Sequence, residues 1–260
     1  MNFRAIFHRS LMRIRPAFIA VAIKKLFNIK RALIQTPAGK MLIDPVSVFG
    51  QAVLDSQGYE HEMLETLDSH LPKNGIFLDI GANEGFFTLY ASKRAREVIA
   101  IEPQKRAADC IRNNLKLNGI TNANIHEFAL GKTQELRDFH LANDTNTGSS
   151  GFVNMVRYNI PIEKIEVKTL DALMERLGWP SIDLAKVDIE GAEYELLLGA
   201  AQTLRKGLIK NIAIELHPKQ LSMQGYSSEH VLNLLRDNAY CIDKTAATLV
   251  YARDLASQKN

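Results

Sequence analysis

A chain of 260 residues that is 46% hydrophobic and 23% charged has enough apolar material for one large α/β domain, and its composition excludes a disordered, collagenous or disulfide-stapled protein. A net charge of +3 is too small to point to nucleic acid, and no nucleic-acid partner is expected. Cys110 and Cys241 lie too far apart for a C-x-x-C metal or redox motif, which makes a reducing cytoplasm the expected compartment, and no apolar run is long enough to cross a bilayer.

Residues 1–31 read as a basic amphipathic extension. Arg4, Arg9, Arg13, Arg15, Lys24, Lys25, Lys30 and Arg31 are all basic, and no acidic residue precedes Asp44. Phe3, Phe7, Leu11, Ile14 and Phe18 share one face of a helix that Pro16 should kink. Two readings stand: peripheral contact with the anionic inner face of a membrane, or a helix lying on the main domain with its basic face in water. A secretory signal fits less well, because the apolar stretch Ala17–Ile23 is short and runs into Lys24 and Lys25.

The main domain is expected over residues 32–253, with a fraying tail at 254–260. Leu33–Gln35 and Met41–Ile43 flank Thr36-Pro37-Ala38-Gly39 as a hairpin. Tyr59, Met63, Leu67 and Leu71 recur every fourth residue as the inner face of a helix that Pro72 and Gly75 end.

Residues 76–103 organise the chain. Ile76-Phe77-Leu78-Asp79-Ile80 is a short apolar run suited to a buried parallel strand. Gly81-Ala82-Asn83-Glu84-Gly85 must then turn sharply, and glycine and asparagine tolerate the left-handed backbone this requires. A helix follows, then Val98–Ile101 as a second strand ending in Glu102. An acid about twenty residues beyond such a turn is where dinucleotide-type folds accept hydrogen bonds from ribose hydroxyls. The G-x-G-x-x-G spacing that seats a pyrophosphate is absent. Asp79, Glu84 and Glu102 instead form an acidic set that repels phosphate and suits a cationic nucleoside. Asp79, Gly81, Asn83, Gly85 and Glu102 are therefore the expected cofactor residues.

Gln104–Leu117 is predicted helical with Cys110 in ordinary core, Asn124–Phe128 is a third strand, and Leu136–Leu141 and Ile165–Lys168 are strands flanking a polar loop over Asn143–Asn159. That loop reads either as a lid over a polar substrate or as a solvated surface loop. Farther on, Ile182–Val187 and Ile212–Glu215 are two buried strands whose exits carry Asp188, Glu190, Glu215 and His217. Ligands in open parallel sheets bind beyond the carboxyl ends of strands at the topological switch point, so these four side chains should gather near the turn after Asp79. Tyr240–Ile242 and Thr248–Tyr251 complete the strands.

D-I-G-A-N-x-G, E-P, A-L-G, K-x-D-x-E-G-x-E and E-x-H, in this order, resemble the FkbM-type family of class I S-adenosylmethionine-dependent methyltransferases over roughly Asp44–Tyr251. The resemblance implies a Rossmann-like α/β fold, a mostly parallel seven-stranded sheet with helices on both faces. It implies S-adenosyl-L-methionine as cofactor, Ala129 at the adenine and Asp188 beside the cofactor. It also implies methyl transfer to a hydroxyl of a small molecule, sugar, glycan or natural product. A neutral His217 is then the expected general base, with Asp188 at the cofactor and Glu190 positioning the acceptor. Two rivals remain: Glu215 and His217 as a mere strand-end pair, or Asp188, Glu190 and His217 as ligands for a divalent metal. Two rivals for the whole reading also remain, an NAD-type oxidoreductase and a catalytically silent docking protein of the same fold.

Overall fold

The computed structural model describes residues 17–27, 31–54, 60–142, 146–154, 161–244 and 249–254. Helix α1 spans Ala17–Leu26, and a hairpin of β1 (Ala32–Thr36) and β2 (Gly39–Ile43) follows. Next come α2 (Val48–Leu54), α3 (His61–His70), β3 (Ile76–Ile80), α4 (Phe86–Ser92), β4 (Glu97–Ile101), α5 (Lys105–Leu117) and β5 (Ala123–His126). The middle of the chain gives β6 (Ala129–Leu130), β7 (Glu135–His140), β8 (Ile162–Lys168), α6 (Leu170–Leu177) and β9 (Leu184–Val187). The remainder gives α7 (Glu193–Leu198), α8 (Ala201–Arg205), β10 (Asn211–Glu215), α9 (Pro218–Met223), α10 (Ser228–Asp237), β11 (Tyr240–Lys244) and β12 (Leu249–Asp254).

The main sheet runs β11-β12-β10-β9-β3-β4-β5, parallel throughout except for β12, which is antiparallel to both neighbours. This is the expected seven-stranded, mostly parallel α/β architecture. The chain runs outward from β3 through β4 to β5, then returns to lay β9 on the other side of β3. The switch point therefore lies between β3 and β9, where a crevice must open at the strand ends.

Every residue of β3 is buried, as a strand covered on both faces requires. Alternation divides it: Ile76, Leu78 and Ile80 join the core layer that includes Leu173, Leu196, Leu204 and Leu235, while Phe77 joins the layer of Met41, Leu67, Leu89 and Ile111. Asp79 shares Phe77's face, and the same alternation on β9 puts Lys186 beside Leu184 on that face. A polar side chain is thus forced inward from each of the two central strands.

A second sheet, β6-β8-β7, fills the stretch between β5 and β9, so Ala129–Leu130 leaves the main sheet rather than extending the third strand. One expectation at the chain's end is corrected. Arg253 pairs with Asn211 and Cys241, and Asp254 with Tyr240, because β12 is an interior strand with partners on both sides rather than a fraying end. Tyr59 of the predicted third helix, the stripe from Phe3 to Ile14, parts of the polar loop and residues 255–260 lie outside the described residues. Among the described residues no helix is long and apolar enough to cross a membrane.

Candidate active site

The turn after β3 folds tightly against the exit of β9. Gly81 has φ +80°, and a Cβ there would lie 1.8 Å from the Asp188 carbonyl oxygen, so only glycine lets the two strand ends approach this closely. The Gly81 and Ala82 amides donate to the Ile101 carbonyl at 3.0 and 3.1 Å, which pins the turn to β4 as well. Asn83 takes the left-handed conformation at φ +49°. Its amide donates to Glu102 Oε2 at 2.8 Å, while the Gln104 amide donates to Oε1 at 2.9 Å. Burial pushes the Glu102 carboxyl up to about 7, against these two N–H groups, which favour its charged form.

Beyond this turn opens a cleft lined on one side by Gly81, Asn83, Glu102 and Gln104 and on the other by Asp188, Ile189 and Glu190. Its far wall is apolar: Ala129, Leu130, Phe139 and Phe152, the last two meeting edge to face with ring centroids 5.4 Å apart. Ser150 Oγ donates to Gln104 Oε1 at 3.2 Å and accepts from the Ala142 amide at 2.9 Å, anchoring residues 146–152 across the mouth. Of the predicted polar loop, the described residues 146–154 place Gly148, Ser150 and Phe152 against the cleft.

Gly81, Asn83, Glu102, Ala129, Asp188 and Glu190 line the cleft, whereas Asp79 and Gly85 do not. Asp79 lies fully buried under the turn, accepting from Thr88 Oγ1 at 2.6 Å and facing Lys186 Nζ at 3.7 Å. Burial pushes its carboxyl up, with Lys186 and Thr88 opposing. Gly85 instead abuts Ile111, where its missing side chain lets α4 pack on α5. Glu84 also faces away from the cleft and is ion-paired with Arg31.

Asp188, Glu190, Glu215 and His217 do converge. His217 Nδ1 is 2.8 Å from Glu193 Oε1, and Nε2 is 3.7 Å from Asp188 Oδ1 and 3.8 Å from Glu190 Oε2. Gln220 Nε2 donates to Glu190 Oε2 at 2.8 Å. Glu190 and Gly191 hold positive φ, +50° and +101°, and a Cβ on Gly191 would meet Gln220 Cβ at 2.4 Å. Burial alone would lower the His217 pKa, but its bond to Glu193 and the charges of Glu193, Glu190 and Asp188 raise it to about 9. Three carboxylates thus favour the imidazolium form of His217 at neutral pH, which suits a fixed cation better than the neutral base expected from the sequence. Burial meanwhile pushes Glu190 and Glu215 up, making Glu190 a stronger base than an ordinary carboxylate.

The metal alternative of Asp188, Glu190 and His217 is not how the geometry groups its acids. Among the described residues, Glu60, Asp188 and Glu215 are the set whose oxygens all lie within 4.8 Å of one another. Glu60 and Asp188 both favour the ammonium of Lys186, and that ammonium in turn acts on Glu215. Lys186, Gln104, Phe139, Ser150 and Phe152 are the site residues sequence reasoning missed. Lys186 had a signal, a charged residue inside an apolar strand; the others sit in or beside a polar loop whose path the sequence does not reveal.

A family model described as the methyltransferase FkbM domain matches residues 79–242. The chain is 26% identical over 210 residues to the AMB antimetabolite synthetase AmbE of Pseudomonas aeruginosa, covering 65% of this chain and 10% of that protein. It is 27% identical over 164 residues to Methyltransferase 1 of Beauveria bassiana, covering 56% of this chain and 66% of that protein. It is 29% identical over 150 residues to the 2-O-methyltransferase NoeI of Sinorhizobium fredii, covering 50% of this chain and 59% of that protein. The chain thus spans less than two thirds of the length of each.

Proposed function

We propose that this chain, which belongs to the FkbM methyltransferase family, uses S-adenosylmethionine to methylate a hydroxyl oxygen of a sugar, glycan or hydroxyl-bearing natural product. The observation that carries this reading is the pair of cleft-lining carboxylates, Asp188 and Glu190, backed by the His217 ring, which does not itself line the cleft but lies 3.7 and 3.8 Å from them. An aliphatic hydroxyl is a weak nucleophile while protonated and gains from a hydrogen-bond acceptor that takes its proton. The similarity to a protein described as a 2-O-methyltransferase supports the same choice of atom.

The residues fit the cofactor. Glu102 has both oxygens fixed by backbone amides and lone pairs left for two ribose hydroxyls. The wall of Ala129, Leu130, Phe139 and Phe152 suits an adenine ring, and the acidic surroundings of the turn suit a cation. When bound, S-adenosylmethionine supplies an electrophilic methyl carbon on a positively charged sulfur. Asp188, which lines the cleft and is tied to Lys186 at 3.3 Å, would help hold that positively charged group. Glu190 accepts the proton of the acceptor hydroxyl, and His217, fixed by Glu193, keeps Asp188 and Glu190 in place. Residues 146–152 keep water from the reacting atoms and hold both partners close and in line.

The test is to incubate the purified full chain with methyl-labelled S-adenosylmethionine and a panel of glycans and hydroxylated small molecules, and to identify the labelled product by mass spectrometry. A methyl ether supports the proposal. Label found only on nitrogen or carbon overturns it.

A further inference from the structure

Among the described side chains of helix α1, a lysine faces the protein and apolar residues face outward. Lys24 points toward the body of the protein and ion-pairs with Asp44, while Ile19, Ala22 and Leu26, which share the opposite stripe at i, i+3 and i+7, are exposed. Leu26 is 79% exposed, and Phe27 just beyond it is 63% exposed. A helix packed on a water-soluble domain places these sides the other way round. Contiguous exposed apolar surface of this kind marks a place that something else covers.

Charge decides what covers it. Lys25 is exposed at the border of the stripe, and residues 1–31 hold eight lysines and arginines and no acid. A second copy seated on this face would bring the same cations against one another, which is unfavourable. An anionic lipid surface takes both features at once, apolar residues among the acyl chains and cations among the headgroups. The chain is also tied down beyond the helix: Arg31 ion-pairs with Glu84 of the turn after β3 and donates from Nε to the Leu42 carbonyl at 3.0 Å.

We propose that α1 is a membrane-docking element that inserts its Ile19–Ala22–Leu26 face into an anionic bilayer and holds the catalytic domain at that surface. Lys24 and Arg31 are the struts that fix the docking face relative to the cleft.

Flotation of the full chain with phosphatidylcholine vesicles, with and without phosphatidylglycerol, tests this without reference to activity. The full chain is expected to float with the anionic vesicles at low salt. The double variant Ile19→Ser/Leu26→Ser should reduce the floated fraction about fivefold or more, because the apolar face as well as charge drives insertion. S-adenosylhomocysteine binding by the variant should be unchanged, showing that it is folded. A full chain that fails to float, or a double variant that floats as well as the parent, overturns the proposal. So does a dimer in sedimentation that the two serines dissolve without any vesicle binding.

Discussion

Asp79 and Lys186 face each other across adjacent parallel strands, with carboxylate and ammonium 3.7 Å apart and both side chains almost wholly out of solvent. Burial would lower the Lys186 pKa, but Asp188, Asp79 and Glu60 together raise it, so it stays an ammonium at every physiological pH. Removing one member of a buried pair strands the other, at a cost of roughly 3 to 5 kcal/mol. Lys186→Met should destabilise the fold by that amount in urea unfolding. Adding Asp79→Asn should recover much of the loss, and two additive single effects would show that the pair is not coupled.

Cofactor affinity should follow the charge on Glu102. Its pKa of about 7 is above the ordinary 4.5, so burying the neutral carboxyl favours the fold below pH 4.5, and that contribution is lost as pH rises through about 7. Ribose hydroxyls need the ionised form. Affinity for S-adenosylmethionine should therefore rise about tenfold per pH unit up to about pH 7 and then level off. In calorimetry Glu102→Gln should bind more weakly and show little of this dependence.

His217 gives the opposite limb. Its pKa of about 9 exceeds the ordinary 6.5, so its ion pairs stabilise the fold fully below pH 6.5 and are lost as pH rises through about 9. With Glu190 as proton acceptor and His217 as the fixed cation, kcat/KM should fall above about pH 9. A rate that keeps climbing through pH 9 would assign the proton to neutral His217 instead. Glu190→Gln should lower kcat by about 100-fold or more with little change in cofactor affinity.

Gly81→Ala and Gly119→Ala separate strain from collision. Both glycines have positive φ, but nothing lies within 4 Å of a Cβ at Gly119, whereas at Gly81 the Asp188 carbonyl lies at 1.8 Å. Gly119→Ala should cost about 1 kcal/mol of stability and leave S-adenosylhomocysteine binding intact. Gly81→Ala should abolish that binding by isothermal titration.

Chelators should leave turnover unchanged. The carboxylates of Glu60, Asp188 and Glu215 already share the ammonium of Lys186, which meets the demand for positive charge that a divalent ion would otherwise supply. Loss of activity in EDTA with recovery in magnesium would refute this.

The strand, turn and acid of residues 76–102 were readable because each rests on local chemistry: an apolar run, glycine and asparagine at positive φ, a carboxylate at a strand end. The gathering of Asp188, Glu190, Glu215 and His217 was readable for a topological reason, since parallel strands deliver their exits to one edge. What sequence could not supply was direction. Asp79 alternates away from the cleft on β3, although its acidic character suggested a ligand contact. The charge state of His217 depends on Glu193, which reaches it from α7, the helix after β9, and no spacing rule discloses that meeting. Lys24 looked like part of a water-facing cationic side and points inward, because Asp44 awaits it at the end of the hairpin.

The antiparallel strand β12 lies between β10 and β11, so the sheet is completed out of order during synthesis. β10 leads directly to His217, yet its outer neighbour lies some forty residues farther along, at Leu249–Asp254. While those residues are still inside the ribosomal tunnel, β10 has an open edge and the nascent catalytic half is exposed to strand pairing with other chains. A nascent chain arrested before Leu249 should therefore engage chaperones more than one arrested after β12 has emerged.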